Sequence, residues 1–459
     1  MCGLSSKRPV RRGGQRGFVQ MFGALMLVFI LVPAAGLAVD VGMMYLVQSL
    51  LSAASDGAAL AGARALSRGS DDAAERANAE ATANAYLRAN FPSGYMWSTN
   101  FNPQSQAATD SDHVRSLTTT ASVDLPLLFL RIFRTESTTI SATSKATRRD
   151  ANVMFVMDRS TSLQQSGSCT PLKNAAKNFI DRFAEGRDNV GLLTFGTSSL
   201  IDNALSTTFK TATTTTLNNV SCNGSTNTAQ GLWQAYTALV NLNQAGALNA
   251  IVLFTDGLPT ALTQTFSIKA TSNCTDKTAK QGAAYAVSNG SNPSGLYPWV
   301  GTTQPMSSDL SVLTTATTNN CSFRSTQSNL YKDVVNAPVT DSSGNSLDAT
   351  GYMSVGHTAG LINLTDFNHG ATNAADHAAL RIRRGDALTG GQSLANVVIY
   401  TIGYMDVDET LLKRMANDAS LSPNPVAAGA HGKYRYAGDA SQLNDAFLSI
   451  ASEVLRLAQ

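Results

Sequence analysis

A chain of 459 residues has material for two or three domains and a full core. Hydrophobic residues make up 43% and charged residues only 14%, with Ser, Thr, Asn, Ala and Gly filling the difference. A net charge of +2, with no basic run beyond the first residues, argues against nucleic acid as a partner, because such binding needs a basic stripe. The five cysteines, Cys2, Cys169, Cys222, Cys274 and Cys321, form no CxxC, and no histidine stands at metal-ligand spacing from them, so a zinc site is not expected.

Residues 1–17 form a basic tail carrying Lys7, Arg8, Arg11, Arg12 and Arg16. The uncharged run FVQMFGALMLVFILVPAAGLAV follows over residues 18–39. It is long enough to cross a bilayer as a helix and longer than the apolar core of a cleaved secretory signal. A single-pass anchor is therefore expected. Positive flanks stay inside, which places the tail in the cytoplasm and everything after Asp40 outside. Cys2 then lies on the reducing side and the other four cysteines on the oxidising side, where they can pair.

The run VGMMYLVQSLLSAASDGAALAGARAL continues the helix to about Leu66. Ala53, Ala54, Gly57, Ala58, Ala61, Gly62 and Ala65 give one face of small residues. Such a face packs on its own domain or against helices of other subunits, and the pattern leaves both open. From Arg16 to Leu66 the sequence resembles the N-terminus of TadG-like proteins of the tight-adherence (Tad/Flp) pilus system. The features that carry the likeness are Asp40 just after the span and DGAALAGA a few turns on. The resemblance implies a bacterial inner-membrane location and contact with pilus or pseudopilin subunits through the N-terminal helix. Gly17-Phe18 is also faintly similar to type IV prepilins. Their usual Glu is replaced by Phe22, so cleavage by a prepilin peptidase is not expected.

Residues 71–90 read as a second helix, and YMWSTNFNPQSQAATDSD as loop or edge strand. VRSLTTTASVDLP and STTISATSKATR alternate and are β-branched, so they read as two strands of a small sheet. The intervening LLFLRIF is an apolar patch that packs or touches a membrane surface. Residues 40–150 are thus pilin-like in outline, a helix followed by a small α+β region.

From Ala151 the pattern changes. NVMFVM, NVGLLTF, NAIVLFT and NVVIYTIGY are short apolar runs separated by helical stretches. Fully apolar strands alternating with helices predict an α/β fold, a doubly wound, mostly parallel sheet covered on both faces. Ligands on such sheets gather at the carboxyl ends of the strands. Three of those ends carry oxygen. Asp158, Ser160 and Ser162 lie two apart, so on an extended segment they point one way. Thr226 stands at a helix entry, and Asp256 follows the strand ending at Thr255. Two carboxylates and three hydroxyls form a hard-oxygen cage suited to Mg²⁺ or Mn²⁺. The competing reading is a set of helix N-caps and turns, which favour the same residues.

The order D-x-S-x-S, Thr, then Asp-Gly resembles the von Willebrand factor A (vWA, Rossmann-like) fold and its metal-ion-dependent adhesion site. The resemblance implies that Ser160, Ser162 and Thr226 bind metal directly and that Asp158 and Asp256 act through water. A partner's Asp or Glu would complete the shell. It spans residues 151–459, except for a Ser/Thr/Asn/Gly-rich insertion at about 260–372. Against the family pattern Cys169 and Cys222 fall beside the metal loops, and Cys274 and Cys321 inside the insertion. The expected pairs are therefore 169–222 and 274–321, although four cysteines allow three connectivities.

Other candidates carry less. His113, His357, His369, His377 and His431 lack metal spacing, and His369 and His377 flank an expected helix start. DVDE, from Asp406 to Glu409, reads as an acidic helix N-terminus, and the stretch around Gly344 as a turn. Asn273 and Asn320 need a eukaryotic secretory route to carry sugar. The expected function is a membrane-anchored, extracytoplasmic binding protein of a Tad/Flp-type pilus. It would take a carboxylate-bearing protein partner through its metal, in assembly or adhesion. The alternatives are an anchored scaffold with a vestigial site and a Mg²⁺-dependent hydrolase. For the last, no activated nucleophile, separate base or phosphate loop is visible.

Overall fold

The computed structural model describes residues 15–66, 72–109, 113–133, 136–266, 280–286, 293–297, 364–388, 390–421 and 429–458. Cys2, Cys274, Cys321, His357, Asn273, Asn320 and the turn around Gly344 lie outside the described residues, as does the expected 274–321 pair. The chain divides into two compact units. The first runs through Thr109 and resumes over Arg115–Arg148; the second holds Asp110–Val114 and everything from Arg149.

In the first unit α1 (Gln15–Met26) passes through a π-helical turn, Leu27–Leu31, into α2 (Val32–Ala65). Pro33 accounts for the turn. It has no N–H to give, and its ring crowds the carbonyl four residues back, so the hydrogen-bond ladder loosens there. The helix from Gln20 to Ala65 is long and apolar enough to cross a membrane. The large apolar side chains from Met21 to Val32 are exposed.

Beyond the apolar stretch, α2 and α3 (Asp72–Asn90) form the helical half of a small core. Val47, Leu51, Ala54 and Ala58 of α2 meet Ala79, Ala83 and Leu87 of α3. The small-residue face is thus used largely inside the unit, where Ala54, Ala58, Gly62 and Ala65 are buried. A Cβ on Gly62 would strike Leu117 and come within 2.9 Å of the Ala79 carbonyl, so this helix pair needs glycine there. Strands β1 (Thr99–Thr109), β2 (Val114–Pro126) and β3 (Ser137–Arg149) make one sheet in that order. Leu117, Ala121, Val123 and Leu125 alternate along β2 and close the core. The segment read as loop or edge strand is an edge strand, β1, which is where Pro103 is tolerated.

The second unit begins with β4 (Ala151–Asp158), α4 (Thr161–Gln165), α5 (Cys169–Ile180), β5 (Asn189–Phe195) and β6 (Ser199–Ser206). Then come α6 (Lys210–Asn219), α7 (Thr228–Leu242) and β7 (Leu248–Thr255). Strands β8 (Ala261–Phe266), β9 (Lys280–Ala286) and β10 (Pro293–Tyr297) and helix α8 (Leu364–Arg384) belong largely to the insertion. The unit ends with β11 (Val398–Tyr404), α9 (Glu409–Ala416), β12 (Tyr434–Ala437) and α10 (Ala440–Leu457). Six strands form the central sheet in the order β12-β11-β7-β4-β5-β6. All neighbours are parallel except β6, which runs antiparallel to β5.

Side chains alternate between two cores. Val153, Phe155 and Met157 of β4 face α5 and α10, with Phe155 5.5 Å from both Phe179 and Phe447. Met154 and Val156 face the opposite layer of α7, α8 and α9. The asparagines that head three of the apolar runs fix the register. Asn189 donates to Asn152, and Asn152 to Asn249, each at 2.9 Å, which satisfies buried amides across β5, β4 and β7. The chain leaves β4 for β5 on one side while β7 lies on the other, so the ends of β4 and β7 form a topological switch point.

The insertion holds regular structure of its own: β8, β9 and β10 make an antiparallel sheet. One expectation needs correction. Helix α8 starts at Leu364, so His369 and His377 lie within it and do not flank its start. Phe367, Ala371, Ala375, Ala379 and Ile382 bury a stripe at helical spacing that begins ahead of both histidines. Farther on, Asp408 caps α9 by accepting from the Leu411 N–H at 2.9 Å, the helix-terminal role read for the DVDE run.

Candidate metal centre

Strand β4 delivers Asp158 to the middle of the sheet end, and β7 delivers Thr255 and Asp256 beside it. The Asp158 carboxylate is fully buried. One oxygen accepts from the Ser160 N–H at 2.8 Å and the other from the Thr255 hydroxyl at 2.6 Å. The first bond turns the chain at Ser160, and Ser162 lies in the short helix α4, not on the extended segment that the two-residue spacing suggests; the two hydroxyls meet beside Asp256 all the same. Ser160 Oγ lies 2.9 Å from Ser162 Oγ. Asp256 Oδ1 lies 3.1 Å from the first and 2.9 Å from the second.

Three oxygens thus form a near-equilateral triangle. In an octahedral shell with Mg–O distances near 2.1 Å, neighbouring ligands stand about 3.0 Å apart, so the triangle has the size of one octahedral face. Among the described residues no three His, Cys, Asp or Glu side chains gather as a metal-binding group. A cation here would rest on two carboxylates and on hydroxyls, a donor set that fits a hard divalent ion.

Simple capping does not account for these hydroxyls. Ser160 occupies the N-cap of α4 but its side chain makes no capping bond; it turns to Ser162 and Asp256. The cap of α7 is Asn227, whose side chain accepts from Gln230 N–H, and not Thr226. Thr226 is held by its backbone: its N–H donates to Thr260 Oγ1, and its carbonyl accepts from Thr260 and Ala261. It lines the same cleft as Ser160 and Ser162, a space of about 520 Å³. Leu258, Tyr285 and Asn368 wall the other sides, so β9 and α8 of the insertion shape the entrance. All five predicted oxygen-bearing residues therefore stand at one sheet end, four of them in one hydrogen-bonded group.

The electrostatics leave this group short of positive charge. Burial pushes the Asp158 carboxyl well above its ordinary value, and the Asp256 charge adds to the effect. Burial also raises Asp256, against the bonds from Ser162 and Ser160. Arg159 was not singled out in the sequence because its motif position is free. Its side chain is buried, and burial lowers its guanidinium to about 10, opposed by Asp202 and Asp158. Its Nη1 donates to the Ser221 carbonyl at 3.0 Å, toward the loop that carries Thr226. Thr255 was also missed, since a threonine closing an apolar strand reads as β-propensity.

Cys169 and Cys222 are joined, with Cα atoms 6.0 Å apart. The bridge ties the start of α5 to the loop preceding Thr226. It closes a loop with a sequence separation of 53, for which chain entropy gives a stabilisation of about 4 kcal/mol. Urea unfolding of Cys169→Ser/Cys222→Ser should show a loss approaching that size; an unchanged midpoint would mean that the bridge constrains nothing.

Residues 153–258 match the von Willebrand factor type A domain family. Residues 17–65 match the Flp pilus-assembly TadE/G-like family. No curated protein matches the chain by sequence. Among solved structures, a von Willebrand factor type A protein from Catenulispora acidiphila is similar at 10% identity and a TM-score of 0.34, over 80% of this chain. The chain spans about half, 52%, of that protein's length. The PilB minor pilin from Streptococcus sanguinis is similar at 15% identity and a TM-score of 0.37, over 78% of this chain and 79% of that one. The vWF domain of the type V pili tip protein Mfa5 from Porphyromonas gingivalis is similar at 14% identity and a TM-score of 0.37, over 68% and 98%. The chain thus carries a TadE/G-like segment at its N-terminus and, behind it, a von Willebrand factor type A domain built on a mostly parallel sheet.

Proposed function

We propose that this is a membrane-anchored, extracytoplasmic binding protein of a Tad/Flp-type pilus system, acting in pilus assembly or adhesion. In this reading the apolar helix crosses the bacterial inner membrane once, with its basic tail in the cytoplasm, and engages pilus or pseudopilin subunits. The vWA unit holds Mg²⁺ or Mn²⁺ through Asp158, Ser160, Ser162, Thr226 and Asp256. A protein partner supplies an Asp or Glu to a remaining coordination position. The TadE/G-like match supports the pilus setting, and the long apolar helix supports the anchor.

The observation that carries the binding role is the Ser160–Ser162–Asp256 oxygen triangle beside a second buried carboxylate. Buried charge without a compensating partner is costly, and a divalent cation is the compensation this donor set suits. The hydroxyls bond to each other and to Asp256 and are not aimed at a histidine base, which favours binding over nucleophilic catalysis. Pull-down from pilus-bearing cells with the immobilised protein tests the reading. Capture should occur in Mg²⁺, vanish in chelator and vanish with Asp158→Ala. Equal capture in chelator would sink it.

A further inference from the structure

The second candidate site lies in the first unit, around Asp40. This aspartate sits in α2 just past the uncharged run, yet its side chain is fully buried. What covers it is the connection between β2 and β3. Asp40 Oδ1 accepts the Leu128 N–H at 3.0 Å. Its Oδ2 accepts the N–H groups of Phe129 at 3.0 Å and Leu130 at 2.7 Å. One turn earlier on the same helix face, a Cβ built on Gly36 would run into the Phe129 ring. Gly36 and Asp40 therefore act together: the glycine admits the ring against bare helix, and the carboxylate holds the backbone there.

The side chains that this clamp presents are apolar. Leu128 is 50% exposed and Phe129 36% exposed, next to exposed Leu37, Val39 and Val41 on α2. The loop's apolar surface is thus continuous with that of the helix. Gly36 lies three residues before Val39, where the uncharged run ends. At 1.5 Å of rise per residue the Phe129 ring is then roughly 4–5 Å inside the end of the span. Interfacial segments bury their apolar faces to about that depth, 5–10 Å. Backbone cannot enter that layer with unpaired N–H groups, and Asp40 pairs three of them at once. Arg131, close by in the same connection, is exposed, and a long basic side chain of this kind can snorkel to lipid phosphates.

We propose that residues 127–131 form a second membrane-inserting element. Leu128 and Phe129 act as a wedge that Gly36 and Asp40 hold beside the span, with the boundary between acyl chains and headgroups as its partner. The wedge fixes the height and rotation of the helix in the bilayer. It rests on the reading that α1–α2 is a membrane anchor.

The test uses the full chain reconstituted into phosphatidylcholine–phosphatidylglycerol vesicles whose acyl chains are brominated near the headgroup. In Leu128→Trp the emission added over the parent protein should be blue-shifted and mostly quenched. Adding Asp40→Asn, or Gly36→Ala to displace the ring without changing charge, should restore most of that emission. If the chain floats with alkali-washed vesicles but the introduced tryptophan is unquenched, the wedge is refuted and the anchor stands. Shielding from aqueous quencher without bromine quenching would show a protein neighbour in place of lipid and refute it equally. A chain that does not float loses both readings.

Discussion

In chelator, raising the pH from about 4 to about 8 should lower the stability of the vWA unit, and millimolar Mg²⁺ should restore it. Burial holds Asp158 and Asp256 above their ordinary value of 3.8 in the folded protein. The folded state therefore keeps protons that the unfolded chain has released. Stability from this source is complete below the unfolded value and is lost as pH rises from there through the folded values. Each pH unit over which the folded state keeps a proton that the unfolded chain has released costs about 1.4 kcal/mol per group. A divalent cation replaces the proton as the compensating charge and releases it on binding. At a hundred times its dissociation constant it contributes about 2.7 kcal/mol. Urea unfolding of the full chain at several pH values, with chelator and with Mg²⁺, checks both arms. A chelated protein whose stability is flat with pH and blind to Mg²⁺ would contradict the charge deficit.

Asp256→Ala should act with opposite signs in the two conditions. Without cation it removes a like charge beside Asp158 and relaxes the repulsion that raises it, so the folded unit gains stability at neutral pH. With cation it removes one corner of the oxygen triangle, and Mn²⁺ affinity, read by electron paramagnetic resonance of the free ion, should collapse by roughly 100-fold or more. Ser160→Ala should weaken Mn²⁺ strongly with little change in chelated stability. Thr255→Val keeps all five candidate ligands but removes the hydroxyl that orients Asp158, and outer-shell losses of that kind cost about 10–100-fold. A purely structural network would lose stability in both conditions and show no preference for the cation-loaded form.

The sheet and the site were legible to different depths. Strands β4, β5, β7 and β11 could be read because parallel, doubly covered strands are continuously apolar and end sharply. The asparagines ahead of three of those runs were visible as letters, but their ladder is a pairing across strands that no local pattern encodes. Asp158, Ser160 and Ser162 stood out because their spacing is short, and Asp256 because it ends a strand. Arg159 and Thr255 did not, since a buried guanidinium and a strand-closing hydroxyl resemble ordinary choices at those places. The sheet β8–β10 lies in a polar stretch with weak alternation, so composition marked only an insertion there and no strands. The Asp40 clamp joins residues 88 to 90 positions apart, beyond any periodicity argument.

The most direct measurement is a crystal structure of the full chain, or of a proteolytic fragment that keeps the vWA unit, grown with Mn²⁺ and recorded at an energy where manganese scatters anomalously. One strong anomalous peak is expected within coordinating distance of Ser160 Oγ and Ser162 Oγ, with Asp158, Thr226 and Asp256 around it. Clear density for those side chains with no peak among them at millimolar Mn²⁺ would contradict the proposed metal site.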